Sequence, residues 1–428
     1  MSLVNVIKAG GTSVGTPREM RTLRDEVLRQ HRALLRQDSG ATTYLIVSGT
    51  GKQKGRPITE KNTELSIAIS QGKDVEANTM EMWEREQRVV SYFGLPKNFN
   101  RQNFKELEYL VRRTSMPADE RFARIVTCVG ERLKPRHFEA IFNQMQQGVA
   151  VYVPPEMVGY ATTERLSNAK LTPDGYGDIS SRLASGKYSG KIVVMGGFMG
   201  TDKDTNRLSV LERGGSDTHA VNIGVGVGAQ RVIIFSDTPL READPRYAPD
   251  ARVVPMVNNA ELGEFIGYGS EIVADRANEA ARVQSIELVL RDIFSLKDQT
   301  IVSANPDANG IKGIGARNAV IMSLGNIPDI PGALHTAYGI IKSHNLGVIN
   351  EAGDRSTSSM VLVGSPEYSI EDNASKIGGE LRAMGFSVNQ YWSQTRVGVI
   401  GRGIGDNLKA FDAIHYTLRK LHLPPNAV

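Results

Sequence analysis

Two glycine-rich turns hold the residues best suited to chemistry. Lys8-Ala9-Gly10-Gly11-Thr12-Ser13 follows a short apolar run, and Arg213-Gly214-Gly215-Ser216-Asp217 precedes another. Paired glycines let the backbone approach a phosphate closely, and a lysine ending a strand stands where open α/β sheets bind ligands. Lys8 is thus a candidate point charge in a phosphate cradle. The plainer alternative is a tight turn with a lysine reaching into solvent. Arg213 could fork onto a carboxylate bidentately, and Asp217 could bind Mg²⁺ or orient a phosphate or nucleophile. Alternatively, Ser216 or Asp217 only caps a helix. Taken together, the two turns look like a site for a polyphosphate and a carboxylate. Glu131, within Gly130-Glu131-Arg132, could pair with an ammonium group or be a solvated helix charge. Ser236-Asp237 could hold a nucleotide or form an ordinary turn.

These residues need a scaffold that brings distant segments to one edge. Leu3 to Lys8 reads as a strand. Thr16-Pro17-Arg18-Glu19 is a capping box with proline at the first helical position, and Met20, Leu23, Val27, Leu28, Leu34 and Leu35 keep helical spacing behind it. Tyr44-Leu45-Ile46-Val47 is a continuous apolar run, as expected of a buried parallel strand. Strand, helix, strand in that order predicts an α/β sheet. Residues 61–148 read as mostly helical, Val149–Val153, Lys191–Met195 and Arg231–Phe235 as strands, Thr218–Gly228 as a helix, and 258–297 as helical again. Ser303–Gly310 reads as a linker. Beyond it, Ala319–Leu324, Leu346–Ile349, Ser359–Val363 and Val397–Ile400 read as strands, with helices from Asp329 to His344 and from Ile370 to Met384. That βαββαβ order suits a small ferredoxin-like unit.

Composition narrows the function. The chain has 428 residues, 51 Lys plus Arg against 47 Asp plus Glu, and a net charge of +4. So small and evenly spread a surplus predicts no nucleic-acid partner. No apolar run reaches the length of a membrane span, so no membrane partner is expected. The N-terminal segment does not read as a signal peptide, and the single cysteine, Cys128, allows no intrachain disulfide. A cytoplasmic setting is expected. There is no G-x-x-x-x-G-K-[ST], so a P-loop is excluded. Gly224-Val225-Gly226-Val227-Gly228-Ala229 matches a dinucleotide fingerprint by letters. It ends a helix and precedes a strand, the reverse of the required order, and reads as a C-cap and close-packing run. The histidines form no ligand-spaced cluster, so no protein-bound metal site is expected.

The order of motifs resembles that of the aspartate kinases of the amino-acid kinase family. Lys8 to Val14 resembles their K-F-G-G-T-S-V opening, and Val47-Ser48-Gly49-Thr50-Gly51-Lys52 their V-S-A-x-G-K turn. Thr63-Glu64-Leu65 resembles T-D-L, while Gly130-Glu131-Arg132-Leu133, Gly197-Phe198-Met199-Gly200 and Arg213–Asp217 match G-E-R-L, G-F-x-G and R-G-G-S-D. Ser236-Asp237 and Asp244-Pro245-Arg246 resemble the nucleotide segment, and Asp329-Ile330-Pro331-Gly332 the helix start of ACT domains.

The resemblance implies an α/β/α sandwich with a mostly parallel sheet over residues 1–298 and a ferredoxin-like ACT region over 299–428. It implies transfer of a phosphoryl group from ATP, with Mg²⁺, to the side-chain carboxylate of L-aspartate, giving 4-phospho-L-aspartate. Lys8 and Asp217 would be catalytic. Ser48, Thr63, Glu131, Arg213 and Ser216 would bind the amino acid, Glu131 its ammonium and Arg213 its α-carboxylate. Lys8, Gly10, Gly11, Ser236, Asp237 and Arg246 would bind the nucleotide. A homodimer or higher homo-oligomer through the ACT region is expected. The chain departs from the family pattern at Ala9, across Leu240–Arg246, at Gly269–Ile272, and near Ile349, where the acidic residue of the lysine-sensing pocket is usual. A second ACT unit starting at Arg396 is expected to be incomplete, and conventional lysine feedback is not expected. Two other readings stay open: an acyl-phosphate-forming kinase for another amino-acid carboxylate, and a catalytically idle ACT amino-acid sensor.

Overall fold

The structure is a computed structural model and describes residues 3–49, 52–53, 56–57, 75–112, 116, 118–163, 169–183, 186–211, 214–245, 248–304, 310–328, 332–344, 346–353, 357–364 and 370–402. The chain forms two compact units. The first comprises 1–240, 253–262 and 272–306, and the second 241–252, 263–271 and 307–428.

Among the described residues the central sheet of the first unit has eight strands: β1 (Val4–Ala9), β2 (Thr42–Val47), β3 (Ala150–Tyr152), β4 (Ile192–Gly196), β5 (Arg231–Ser236), β6 (Met256–Val257), β7 (Glu287–Asp292) and β8 (Gln299–Val302). Their spatial order is β6-β8-β7-β5-β1-β2-β4-β3. All neighbours are parallel except β7 and β8. From β1 the chain runs outward through β2, then returns to the other side of β1 as β5. That reversal makes the crevice beyond β1 and β5 a topological switch point, where α/β sheets hold ligands.

Alternation along the strands sorts the side chains between two faces. Ile7, Ala9, Leu45, Val47, Ile192, Val194, Ile233 and Phe235 join one core cluster. Helix α1 (Pro17–Leu35) supplies Met20, Leu23 and Val27 to it, and a later helix, Lys134–Met145, supplies Phe138, Ile141 and Phe142. Each such fully buried side chain contributes roughly 1.5–3 kcal/mol. The predicted capping box starts α1: Thr16 N–H donates to Glu19 Oε2 at 2.6 Å, and Glu19 N–H to Thr16 Oγ1 at 3.4 Å. Lys8 alternates with Ile7 and so belongs to the opposite face, beside Ile46 and Ile234 in register.

Helices α2 (Glu76–Phe93), α3 (Arg101–Arg112) and α4 (Ala118–Thr127) precede the helix at Lys134, α5. A buried ion cluster ties α2 to α5. Glu86 accepts from Lys134 Nζ at 2.8 Å and Arg85 Nη2 at 2.9 Å. His137 Nδ1 lies 3.7 Å from the same carboxylate, and its Nε2 is 2.7 Å from Asn100 Oδ1. Further on, α6 (Gly175–Leu183) packs against α7 (Gly215–Val227), which lies on the face of the sheet opposite α1. A Cβ at Gly224 or Gly226 would meet Val232 Cγ2 at 2.8 Å or Ile179 Cγ2 at 2.4 Å. Gly228, at φ 73°, caps the helix, so the glycine run is the predicted cap and close-packing segment. Helix α8 (Asp275–Val283) follows. One expectation for this region fails: the stretch 258–297 is not uniformly helical, since Glu287–Asp292 is β7. Ile286 and Leu288–Leu290, interrupted by Glu287, make an apolar stretch too short for its period to separate strand from helix.

The second unit contains β9 (Gly310–Gly325), α9 (Ala333–Ser343), β10 (Leu346–Gly353), β11 (Thr357–Gly364), α10 (Ile370–Ala383) and β12 (Ser387–Arg402). The antiparallel order β10-β11-β9-β12 with two helices is the predicted ferredoxin-like arrangement. The expected second ACT unit from Arg396 lies outside the described residues beyond Arg402, and its first strand, Val397–Ile400, is continuous with the preceding one. That stretch is the far half of β12, in register with β9 from Ile314 to Ala316 and continuing to Gly313. There Gly315 and Gly398 face each other across the two strands, and the ring of Tyr268 fills the notch. Among the described residues no helix is long and apolar enough to cross a membrane.

Candidate active site

Lys8, at the C-terminal end of β1, is brought to the N-terminus of α7. Its Nζ lies 2.6 Å from Asp217 Oδ1, with the two side chains only 12% and 11% exposed. A lysine reaching into solvent is thus overturned. Asp217 does not cap its helix, and neither does Ser216: the N-cap is Gly214 in a left-handed conformation, φ 75°. Asp217 sits in the first turn, where the helix dipole favours a negative charge. Its Oδ2 accepts from the backbone N–H of Ala274 at 3.1 Å. Ser216 Oγ donates to Ser48 Oγ at 3.1 Å, joining α7 to the turn after β2.

Beyond Ala9, Gly11–Val14 forms a 3₁₀ turn. The Gly10 N–H, expected to serve phosphate, is engaged by Phe235 O at 3.3 Å. What Gly10 contributes is the missing side chain, since a Cβ there would meet Lys8 Nζ at 3.1 Å and Phe235 O at 3.2 Å. Ser236 ends β5, next to β1, and Asp237 follows it, with Ser236 Oγ donating to Asp237 Oδ1 at 3.1 Å.

Glu131 is no solvated helix charge. It lies on a π-helical turn, Cys128–Leu133, and is 1% exposed. Such turns insert an extra residue into a helix and recur at functional sites. Its Oε1 accepts from the Gly49 N–H at 2.9 Å, while Oε2 has no hydrogen-bond partner among the described residues. Burial pushes its carboxyl up to about 8, against the pull of the Gly49 amide. The close approach needs a glycine at 130: a Cβ there would lie 3.0 Å from Gly49 Cα. A buried carboxylate with one open oxygen is suited to an ammonium group. Cys128, by contrast, is fully buried and its thiol is pushed up by burial, so it is inert packing as expected.

Thr63, Arg213 and Arg246 lie outside the described residues. Of the other expected residues, Lys8, Asp217, Ser48 and Ser216 are linked directly, Glu131 joins through Gly49, and Ser236 and Asp237 end the strand beside β1. No group of three or more His, Cys, Asp or Glu that could hold a metal occurs among the described residues. Sequence reasoning missed Ala274, whose backbone N–H reaches Asp217, and Gly196, where a Cβ would lie 2.0 Å from Glu131 O.

A model of the amino acid kinase family matches residues 4–292, which spans both glycine turns and the whole sheet from β1 to β7. The chain belongs to the amino acid kinase family. It is 31% identical over 186 residues to an aspartokinase of Corynebacterium efficiens, 41% of this chain and 42% of that protein. It is 23% identical over 307 residues to the chloroplastic aspartokinase 1 of Arabidopsis thaliana, 71% of this chain and 52% of that one. The match thus spans about two fifths to a half of these curated relatives. Among solved structures, E. coli aspartokinase III in complex with lysine and aspartate superposes with a TM-score of 0.71 at 19% identity, covering 94% of this chain and 87% of that one. The aspartate kinase of Clostridium acetobutylicum gives 0.71 at 15% identity, covering 98% and 91%. These likenesses show the fold: an amino acid kinase α/β domain with a mostly parallel sheet, followed by a ferredoxin-like region.

Proposed function

We propose that this amino acid kinase transfers the γ-phosphoryl group of ATP to the side-chain carboxylate of L-aspartate, giving 4-phospho-L-aspartate and ADP. The observation that carries the reading is the Lys8–Asp217 pair at the switch point, with the open oxygen of Glu131 nearby in the chain of contacts through Gly49 and Ser48. A substrate carboxylate oxygen attacks the γ-phosphorus as its bond to the β-phosphate oxygen breaks. Charge then spreads over the transferring group, and the protein's task is positioning and charge stabilisation. Lys8 supplies a fixed cation, the α7 N-terminus supplies amide dipoles, and Asp217 orients Lys8. Glu131 holds the ammonium, Ser48, Ser216 and Thr63 line the amino acid, and Arg213 clamps its α-carboxylate. Gly11, Ser236, Asp237 and Arg246 face the nucleotide.

Mg²⁺ would arrive on the nucleotide, as it usually does, held by phosphate oxygens and one or two carboxylates. Asp217 would be the carboxylate to hold it. When bound, the ion neutralises phosphate charge. Catalysis by residues 1–298, regulation by residues 299–428, a homodimer built through the latter and a cytosolic setting complete the proposal. Among the described residues β10 and β12 edge the sheet of the second unit, which supports association, because edge strands call for cover.

The test is a hydroxylamine trap of acyl phosphate with ATP and Mg²⁺ across aspartate, glutamate and other amino acids. Hydroxamate from aspartate above all others is expected. Preference for another amino acid would reassign the substrate, and none from any would favour an idle sensor.

A further inference from the structure

We propose that Ala274 is a positioning residue whose backbone N–H fixes the orientation of the Asp217 carboxylate; the inference rests on the kinase reading above. Each carboxylate oxygen has its own partner: Oδ1 the Lys8 ammonium at 2.6 Å, and Oδ2 the Ala274 N–H at 3.1 Å. The terminal torsion of an aspartate is soft and roughly two-fold. A carboxylate held only by a lysine on a flexible stem would pivot with it. A second bond, from backbone, removes that freedom and holds Lys8 at a set place. Placement of this kind is what a transfer reaction depends on.

The donor itself is held firmly. Ala274 is the residue before α8, and its carbonyl accepts from the N–H groups of Ala277 at 2.9 Å and Asn278 at 3.1 Å. Helix α8 is pinned by a reciprocal pair: Asn278 Nδ2 donates to Asn259 O at 2.9 Å and Asn259 Nδ2 to Asn278 Oδ1 at 3.0 Å. Both asparagines are buried. The Ala274 methyl also packs onto Gly214, the N-cap of α7, where an added Cβ would lie 2.7 Å from it. Ala274 thus touches the carboxylate-bearing helix at its start and at Asp217.

The backbone of Ala274, φ −66° and ψ 138°, is already that of a proline. Ala274→Pro therefore keeps the backbone torsions and removes the donor, and its ring Cδ, standing where the hydrogen pointed, also displaces the Asp217 oxygen. The expected result is a kcat about tenfold lower, the scale of one lost hydrogen bond, with KM for aspartate and ATP within about twofold. In an Asp217→Ala background, Ala274→Pro should change residual turnover by less than about twofold, because its effect runs through the missing carboxylate. Should the proline variant fail to fold, lactic acid at position 274 replaces the amide by an ester and removes the same N–H without a ring. Full turnover in either donor-free protein overturns the proposal, as does an equal loss in the Asp217→Ala background. A wild-type chain that transfers no phosphoryl group overturns the kinase reading as well; an active wild type with an indifferent donor-free variant overturns this inference alone.

Discussion

Lys8 and Asp217, from opposite halves of the first unit's sequence, meet at 2.6 Å with side chains only 12% and 11% exposed. The pair leaves the site close to neutral before substrate enters. An arriving phosphate must share Lys8 with Asp217, so the lysine is held in place before it is used. The cost of burying each charge is offset by its partner, and removing one member leaves the other uncompensated.

Lys8→Ala should lower kcat roughly 10²–10³-fold while KM for aspartate changes little, because a charge aimed at the transferred group acts mainly in the transition state. Steady-state kinetics on the variant decide it. Near-normal turnover would remove Lys8 from the chemistry.

Glu131 gives a pH test. Its carboxyl is pushed up to about 8, so below that pH it holds a proton that must leave before an ammonium group can bind. KM for aspartate should therefore fall as pH rises toward 8, approaching tenfold per unit well below it. Glu131→Gln should raise KM and flatten that slope while KM for ATP is unchanged. In stability the sign is opposite to that of an ordinary carboxylate. The folded state binds the extra proton, so this contribution is full below about 4.5 and is lost as pH rises toward 8.

The Glu86 cluster predicts acid sensitivity. Lys134 and Arg85 hold Glu86 down to about 2, and burial holds His137 down to about 3. Both groups take up protons more readily when unfolded, so their stabilisation is lost as pH falls from about 6.5 toward 2. Lys134→Met should cost about 3–5 kcal/mol by leaving a buried carboxylate short of a partner, and adding Glu86→Gln should recover much of it. Denaturant melts of the single and double variants measure both. A Lys134→Met protein as stable as the parent would show the cluster to be indifferent.

Gly196→Ala should raise KM for aspartate more than KM for ATP. Its methyl would sit 2.0 Å from Glu131 O and push the π-helical turn that presents the carboxylate. Equal effects on both substrates would mean that the turn does not position Glu131 for the amino acid alone.

What could be read from the sequence was local or patterned. The Thr16–Glu19 box, the Tyr44–Val47 run and the Gly228 cap work within a few residues, so residue type alone reveals them. Lys8 and Asp217 were legible as candidates because glycine pairs marked their turns, though only the sheet order brings them together. Glu131 was harder. Its spacing in Cys128–Leu133 is that of an ordinary amphipathic helix, and only the extra residue of the π turn, packed beneath Gly49, buries it. Ala274 was invisible, because an alanine contributes no polar side chain and its role lies in an N–H that every residue but proline has. The Glu287–Asp292 strand was misread because a short apolar run fits either period.

The notch around Tyr268 bears on how such a chain can diverge. A Cβ at Gly398 would lie 1.8 Å from the Tyr268 hydroxyl, and one at Gly315 would lie 2.3 Å from the base of the same ring. A side chain at either glycine requires the tyrosine or the strands to shift. A smaller residue at 268 would first leave a hole between the strands, which a new methyl at 315 or 398 could then fill. The three positions therefore form one unit of inheritance. Descendants of this chain are expected to keep all three or to exchange them in that order, and a lineage carrying alanine at 398 beside an intact tyrosine at 268 would have rebuilt the strand pair around it.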